Sequence, residues 1–187
     1  MTSHLIQTLA RRAAKHNEIN GATPIDADCT FCRIIHHREP AFKVFENDHV
    51  LAILDILPIR QGHILVIPKE HVSRVSDLSE ALAAELGKIV SRIANALTKA
   101  LNNGGLNIVC NQEYAQAVPH VHFHIVPAPV LSGQEAPIVV PTGPEHSGAM
   151  SEAGITYRSM LKAEFLQRDE LDDEQGEYLI TIIKAKL

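Results

Sequence analysis

Three histidines alternate with apolar residues in His120-Val121-His122-Phe123-His124-Ile125-Val126-Pro127. An apolar residue at every second position is the pattern of a β-strand whose two faces do different work. His120, His122 and His124 then share one face, and Val121, Phe123 and Ile125 point into a core. A strand that serves only packing has no use for three imidazoles in a row, because each buried ring needs a hydrogen-bond partner. Two chemistries suit such a row: a metal site, or nucleophilic attack by histidine. At a rise of about 3.3 Å per residue, the Cα atoms of His120 and His124 stand roughly 13 Å apart. Donor atoms about 2 Å from one zinc ion must lie within about 4 Å of each other. Neighbouring histidines can share an ion, but a straight strand cannot bring all three to it. The row fits an extended anion such as a phosphate better, with one ring attacking and its neighbours orienting the group. A solvated, titrating histidine face is the plain alternative.

A second constellation lies upstream, where Cys29 and Cys32 have the Cys-x-x-Cys spacing of half a zinc site. A reduced pair without metal is the other reading. A thioredoxin-like redox role fits less well, because the pair does not open a helix within a βαβ pattern.

The elements that must position these groups follow from the rest of the chain. Asn20-Gly21 and Pro24 form a turn, and Phe31, Ile34 and Ile35 mark a short helix ending before Pro40. Residues 42–46 and 50–55 read as hairpin strands joined at Asn47-Asp48, and the apolar run 63–68 reads as a buried central strand. Ser79 can cap a long helix with Leu82, Leu86, Ile89, Ile93 and Leu97 at helical spacing, stopping at Asn103-Gly104-Gly105. Residues 106–111 form a fourth strand, and the histidine strand is the fifth. The expected class is α+β, an antiparallel five-stranded sheet with one long helix across a face. Residues 131–154 read as loop, and Asp172 to Gln175 can cap a last helix containing Tyr178, Leu179, Ile182 and Ile183.

The chain has 187 residues, 45% hydrophobic and 21% charged, with a formal net charge of -5. That describes one soluble globular domain with appendages. Mild acidity argues against broad binding to nucleic-acid polymers or anionic membranes, so a nucleotide would be a small ligand. No apolar run reaches membrane-spanning length, and there is no secretory h-region. Three cysteines suit a reducing compartment, cytoplasmic or nuclear. Residues 1–17 carry Arg11, Arg12 and Lys15 without an acid, with Leu5, Ile6, Leu9 and Ala13 along one side of a helix. That describes either a mitochondrial transit peptide or an amphipathic helix packed on the domain.

The histidine stretch resembles the histidine-triad (HIT) motif, His-φ-His-φ-His-φ-φ with φ apolar, at every position from His120 to Val126. The resemblance extends through Cys29-Thr30-Phe31-Cys32-Arg33-Ile34-Ile35, Val50-Leu51-Ala52-Ile53-Leu54-Asp55 and Gly62-His63-Ile64-Leu65-Val66-Ile67-Pro68-Lys69-Glu70-His71. It implies a HIT domain over residues 27–130, an N-terminal helical extension over 1–26 and a C-terminal extension over 131–187. It also implies a hydrolase of the HINT-like branch, which cleaves adenosine 5'-monophosphoramidate-type P–N bonds and releases AMP. In that reading His122 attacks the α-phosphorus and is transiently nucleotidylated, its other ring nitrogen held by the carbonyl of His120. His124 would bind a non-bridging phosphate oxygen, or only support its neighbours. Asp55 matches the acid that accepts hydrogen bonds from the ribose hydroxyls. Phe31, Ile34, Ile53 and Leu54 match the base pocket, or are plain core. Asn111 and Gln116 match amides that contact phosphate and the leaving-group oxygen. Cys29, Cys32, His71 and His120 match the ligands of a structural zinc in some relatives, a closed tetrahedral set. Members of this branch are homodimers joined through the long helix and a strand. Dinucleoside polyphosphate hydrolysis and a non-catalytic, nucleotide-binding interaction module are the alternatives. The chain departs from the family at Gln112-Glu113-Tyr114-Ala115, a glycine-free loop, and at Ala117, where some members carry a hydroxyl. Glu113 and Tyr114 could narrow the site or contact the leaving group.

Overall fold

Side chains that alternate between the two faces of each strand decide how the chain is layered. The computed structural model describes residues 28–129 and 168–187. The expected N-terminal helix and the loop of residues 131–154 lie outside the described residues. Helix α1 spans Thr30–Ile35. Strands β1 (Lys43–Glu46), β2 (Val50–Leu54) and β3 (Ile64–Pro68) precede helix α2 (Glu80–Leu101), and β4 (Leu106–Cys110), β5 (Phe123–Pro127) and α3 (Asp173–Lys184) follow. The five strands form one antiparallel sheet in the order β1-β2-β3-β5-β4. No helix among the described residues is long and apolar enough to cross a membrane.

Both faces of the sheet are covered, and for that reason every residue of β2 and β3 is buried. On one face, Leu86, Ile89, Ile93 and Leu97 of α2 pack on Val50, Ala52, Leu54, Ile64, Val66 and Ile125. Each such aliphatic side chain removed from water contributes about 1.5–3 kcal/mol. On the other face, Phe31, Ile34 and Ile35 of α1 pack on Leu51, Ile53, Leu65 and Ile67. The β1–β2 turn is held by Asn47, whose Oδ1 accepts from the backbone N–H of His49 at 2.9 Å and of Val50 at 2.7 Å.

Helix α2 begins as expected, with Ser79 Oγ accepting from Leu82 N at 3.3 Å. It ends one turn position earlier than the glycines: Asn102 takes the left-handed conformation, φ 48°, a role asparagine fills nearly as well as glycine. Asp172 caps α3 by accepting from Gln175 N at 2.8 Å. Leu179, Ile180 and Ile183 are the buried face of α3, while Tyr178 and Ile182 are half-buried. Gly176 lets α3 close onto the sheet edge, since a Cβ there would fall 2.5 Å from the Phe42 ring.

One boundary departs from the alternating pattern. Strand β5 starts at Phe123, so His120 and His122 precede it. The alternation persists through them, but their backbone leaves the ladder: His120 N bonds to Val118 O at 2.8 Å and Val121 N to Val72 O at 2.7 Å.

Candidate active site

The three histidines lie on the α1 side of the sheet. His120 and His122 are buried and His124 is half-buried. The Phe31 ring meets His122 edge-on at 5.1 Å between centroids, and His122 meets His124 at 4.8 Å. Val121 and Ile125 face the α2 core, with Phe123 packed against it.

Hydrogen bonds to carbonyls assign the ring protons, because a carbonyl can only accept. His122 Nδ1 lies 2.7 Å from His120 O. Nδ1 therefore carries the hydrogen, and the Nε2 of a neutral ring presents its lone pair. Burial pushes the pKa of His122 below its usual 6.5, with the bond to His120 opposing, so the neutral, nucleophilic form prevails at pH 7.

His120 is arranged in the opposite sense. Its Nε2 lies 2.9 Å from Pro68 O and donates to it. Its Nδ1 lone pair faces Cys29 Sγ at 3.4 Å and Cys32 Sγ at 3.7 Å. His71 Nδ1 lies 3.2 Å from Cys32 Sγ. One donor atom from each of Cys29, Cys32, His71 and His120 lies within 4.8 Å of the others, so the four could hold a metal ion. Two thiols and two imidazoles with donors about 3–4 Å apart match tetrahedral zinc. The bond from His120 to Pro68 is the outer hydrogen bond that orients a ligating histidine.

A fourth histidine, given no role by the sequence reading, completes the row. The backbone N–H of Ile59 donates to His63 Nδ1 at 3.2 Å. The proton of a neutral His63 ring is then on Nε2, 3.0 Å from His124 Nδ1. His124 accepts there and carries its own proton on Nε2, free to donate to an anion. Burial pushes His63 down to about 3 and His124 to about 4, so both are neutral at pH 7. Gly62, at φ 84° and with Leu101 only 2.8 Å from where a Cβ would be, makes the turn that delivers His63. Asp55 Oδ2 lies 3.2 Å from His63 Nδ1, and Oδ1 accepts from Leu57 N at 2.9 Å. Burial raises Asp55 to about 6. Asp55, His63 and His124 also converge within 4.8 Å, with both His63 nitrogens already engaged by Ile59 N and His124. The one sequence signal for His63 was a polar ring opening an otherwise apolar run.

Phe31, Ile34 and Ile53 gather in one apolar group beside the histidines, whereas Leu54 faces the α2 core on the other side of the sheet. Gln116 lies below the row, donating through Nε2 to Ser73 O at 2.9 Å and to His120 O at 3.5 Å, while Oε1 accepts from Glu113 N at 2.9 Å. Asn111 is half-buried just beyond β4. The loop between them turns without glycine by placing Glu113 and Ala115 at φ 57° and 58°. Glu113 pairs with Arg74 at 2.6 Å, and Tyr114 is 89% exposed.

A family model described as the HIT domain matches residues 36–129. An uncharacterized HIT-like protein of Borreliella burgdorferi is 43% identical over 105 residues, 54% of this chain and 75% of that protein. An adenosine 5'-monophosphoramidase of Schizosaccharomyces pombe is 40% identical over 103 residues, 54% of this chain and 74% of that protein. Among solved structures, a Zn-bound histidine triad family protein from Mycobacterium smegmatis superposes with a TM-score of 0.60 at 28% identity, over 86% of this chain and 96% of that one. The histidine row, its sheet and these matches agree: the chain belongs to the HIT family.

Proposed function

We propose that this chain is a nucleotide hydrolase that cleaves P–N bonds of adenosine 5'-monophosphoramidate-type substrates and releases AMP. The observation that carries this reading is the tautomer of His122, with Nδ1–H held by His120 O at 2.7 Å and the Nε2 lone pair left to attack. In the first step Nε2 bonds to the α-phosphorus and the P–N bond breaks, the amine leaving with a proton from solvent. The ring is then positively charged, and the His120 carbonyl stabilises that charge through the retained Nδ1 hydrogen bond. In the second step water attacks the same phosphorus and gives up a proton to solvent, the Nε2–P bond breaks, and neutral His122 returns with AMP released. His124 Nε2–H donates to a non-bridging oxygen throughout. Phe31, Ile34 and Ile53 receive the base, and Asp55 the ribose hydroxyls. Asn111 serves the phosphate and Gln116 the leaving-group side. The similarity to the S. pombe phosphoramidase supports the substrate class.

Zinc on Cys29, Cys32, His71 and His120 would be structural, fixing the residue whose carbonyl orients the nucleophile. The reduced thiols that it needs suit a cytoplasmic setting. The exposed edge strand β4, with Ile108 45% and Val109 40% exposed, suits pairing with a second copy.

Intact-mass measurement after brief incubation with adenosine phosphoramidate tests the proposal. The wild type should carry a transient AMP adduct that His122→Asn lacks. If adenine nucleotides bind but AMP is neither attached nor released, the chain is a binding module instead.

A further inference from the structure

Strand β5 begins at Phe123, so the peptide that orients His122 has no place in the sheet ladder and must be held by other groups. That peptide joins His120 to Val121. Its N–H, from Val121, donates to Val72 O at 2.7 Å. Its carbonyl, His120 O, accepts from His122 Nδ1 at 2.7 Å and from Gln116 Nε2 at 3.5 Å.

Gln116 is half-buried between exposed neighbours, and its partners fix which way its amide points. Ser73 O can only accept and Glu113 N can only donate. Nε2 therefore faces Ser73 O, and Oε1 faces Glu113 N, each at 2.9 Å. With His120 O as the second acceptor, both amide hydrogens are spent on backbone carbonyls. Neither is left to donate to a departing group.

The loop that carries Gln116 needs holding as well. It turns at Glu113 and Ala115 in the left-handed region, φ 57° and 58°, where residues other than glycine are disfavoured. Three contacts tie it to residues 73–76. Gln116 Nε2 donates to Ser73 O, Glu113 pairs with Arg74 at 2.6 Å, and Ser76 N donates to Gln112 Oε1 at 3.1 Å. Val72, just before that segment, is the residue that holds the Val121 N–H. Residues 72–76 and the loop thus form one brace beside the row, and Gln116 is where the brace meets the His120 carbonyl.

We infer that Gln116 is a positioning residue for the nucleophile: it anchors the glycine-free loop to residues 73–76, supports the carbonyl that orients His122, and does not donate to the departing amine. The inference rests on the nucleotide reading proposed above, and it makes the part Gln116 plays on the leaving-group side one of support rather than contact.

The test follows single turnovers by intact mass, separating formation of the AMP adduct from its hydrolysis, in wild type, Gln116→Ala and Gln116→Met. The substrates are adenosine 5'-phosphoramidates of graded amine basicity, from an aniline to an alkylamine. Both variants should slow adduct formation about tenfold, the scale of one or two uncharged hydrogen bonds. The factor should be the same for every amine. Hydrolysis of the adduct, from which the amine has gone, should slow by a similar factor, and the Kd for AMP should change by less than roughly twofold. Gln116→Met keeps the bulk of the side chain, so an effect shared by both variants comes from the lost bonds and not from a gap. A loss that grows with amine basicity while adduct hydrolysis keeps its rate overturns the inference, because Gln116 then acts on the leaving group. Unchanged rates in both steps overturn it too, even if Tm falls, because the role is then only structural. If the wild type forms no adduct, the parent reading fails. If the wild type forms and hydrolyses the adduct and the variants match it, only this inference fails.

Discussion

Lowering the pH from 7 to 5 should cost the folded chain about 2–3 kcal/mol through His63, His124 and Asp55 taken together, a large share of a typical domain's stability. His63 is 1% exposed, and burial lowers its pKa from 6.5 to about 3. The unfolded chain takes up a proton as the pH falls through 6.5, while the folded ring stays neutral down to about 3. Stability that is fully present above 6.5 is therefore lost on acidification. At about 1.4 kcal/mol per pH unit, His63 alone accounts for about 2 kcal/mol by pH 5. His124, at about 4 in the fold, adds a similar amount in the same direction. Asp55 opposes them: raised from 3.8 to about 6, it takes up its proton in the folded state first, which returns about 1 kcal/mol by pH 5. Urea unfolding followed by far-UV circular dichroism at both pH values measures the net effect. His63→Gln cannot titrate in this range and should lose about 2 kcal/mol less over the same interval. Equal pH sensitivity of wild type and variant would refute a neutral, buried His63. The direction of the Ile59–His63–His124 relay would fall with it.

Three further outcomes follow from the geometry. Chelation of zinc-loaded protein should lower the unfolding free energy by about 3–4 kcal/mol, the linkage for metal held at several hundred times its Kd. Cys32→Ser should lose the metal in elemental analysis, and a wild type that takes up no zinc refutes the tetrad. Gly176→Ala should cost about 1–3 kcal/mol, because its Cβ would meet the Phe42 ring at 2.5 Å. A thermal melt reads that loss, Phe42→Leu should restore part of it, and an unchanged melt would mean that α3 does not dock there. Ile108→Lys, on the open edge of β4, should convert a dimer to monomer in sedimentation; an unchanged mass excludes that edge as the interface.

What was legible in the sequence is what repeats over short distances. The alternation of His120, His122 and His124 and the spacing of Leu86, Ile89, Ile93 and Leu97 each announce a face, and the fold honours both. The same alternation should have separated Ile53 from Leu54, since neighbours on a strand point to opposite faces. His63 was silent because its meaning lies in a partner 61 residues away. The early start assigned to the last strand shows the limit of periodicity: side chains go on alternating after the backbone has turned to Val72 and Val118 for its hydrogen bonds.

The strand order has a bearing on how the chain comes to be folded. Strand β5 sits between β3 and β4, so during synthesis β3 remains an unpaired, wholly apolar edge until the residues through Pro127 have emerged. Helix α2 can cover one face of the nascent hairpin in the meantime, but only the last strand satisfies that edge. The segment that carries the histidine row thus also closes the sheet. Truncation or stalling before it would release an aggregation-prone fragment rather than a slow enzyme.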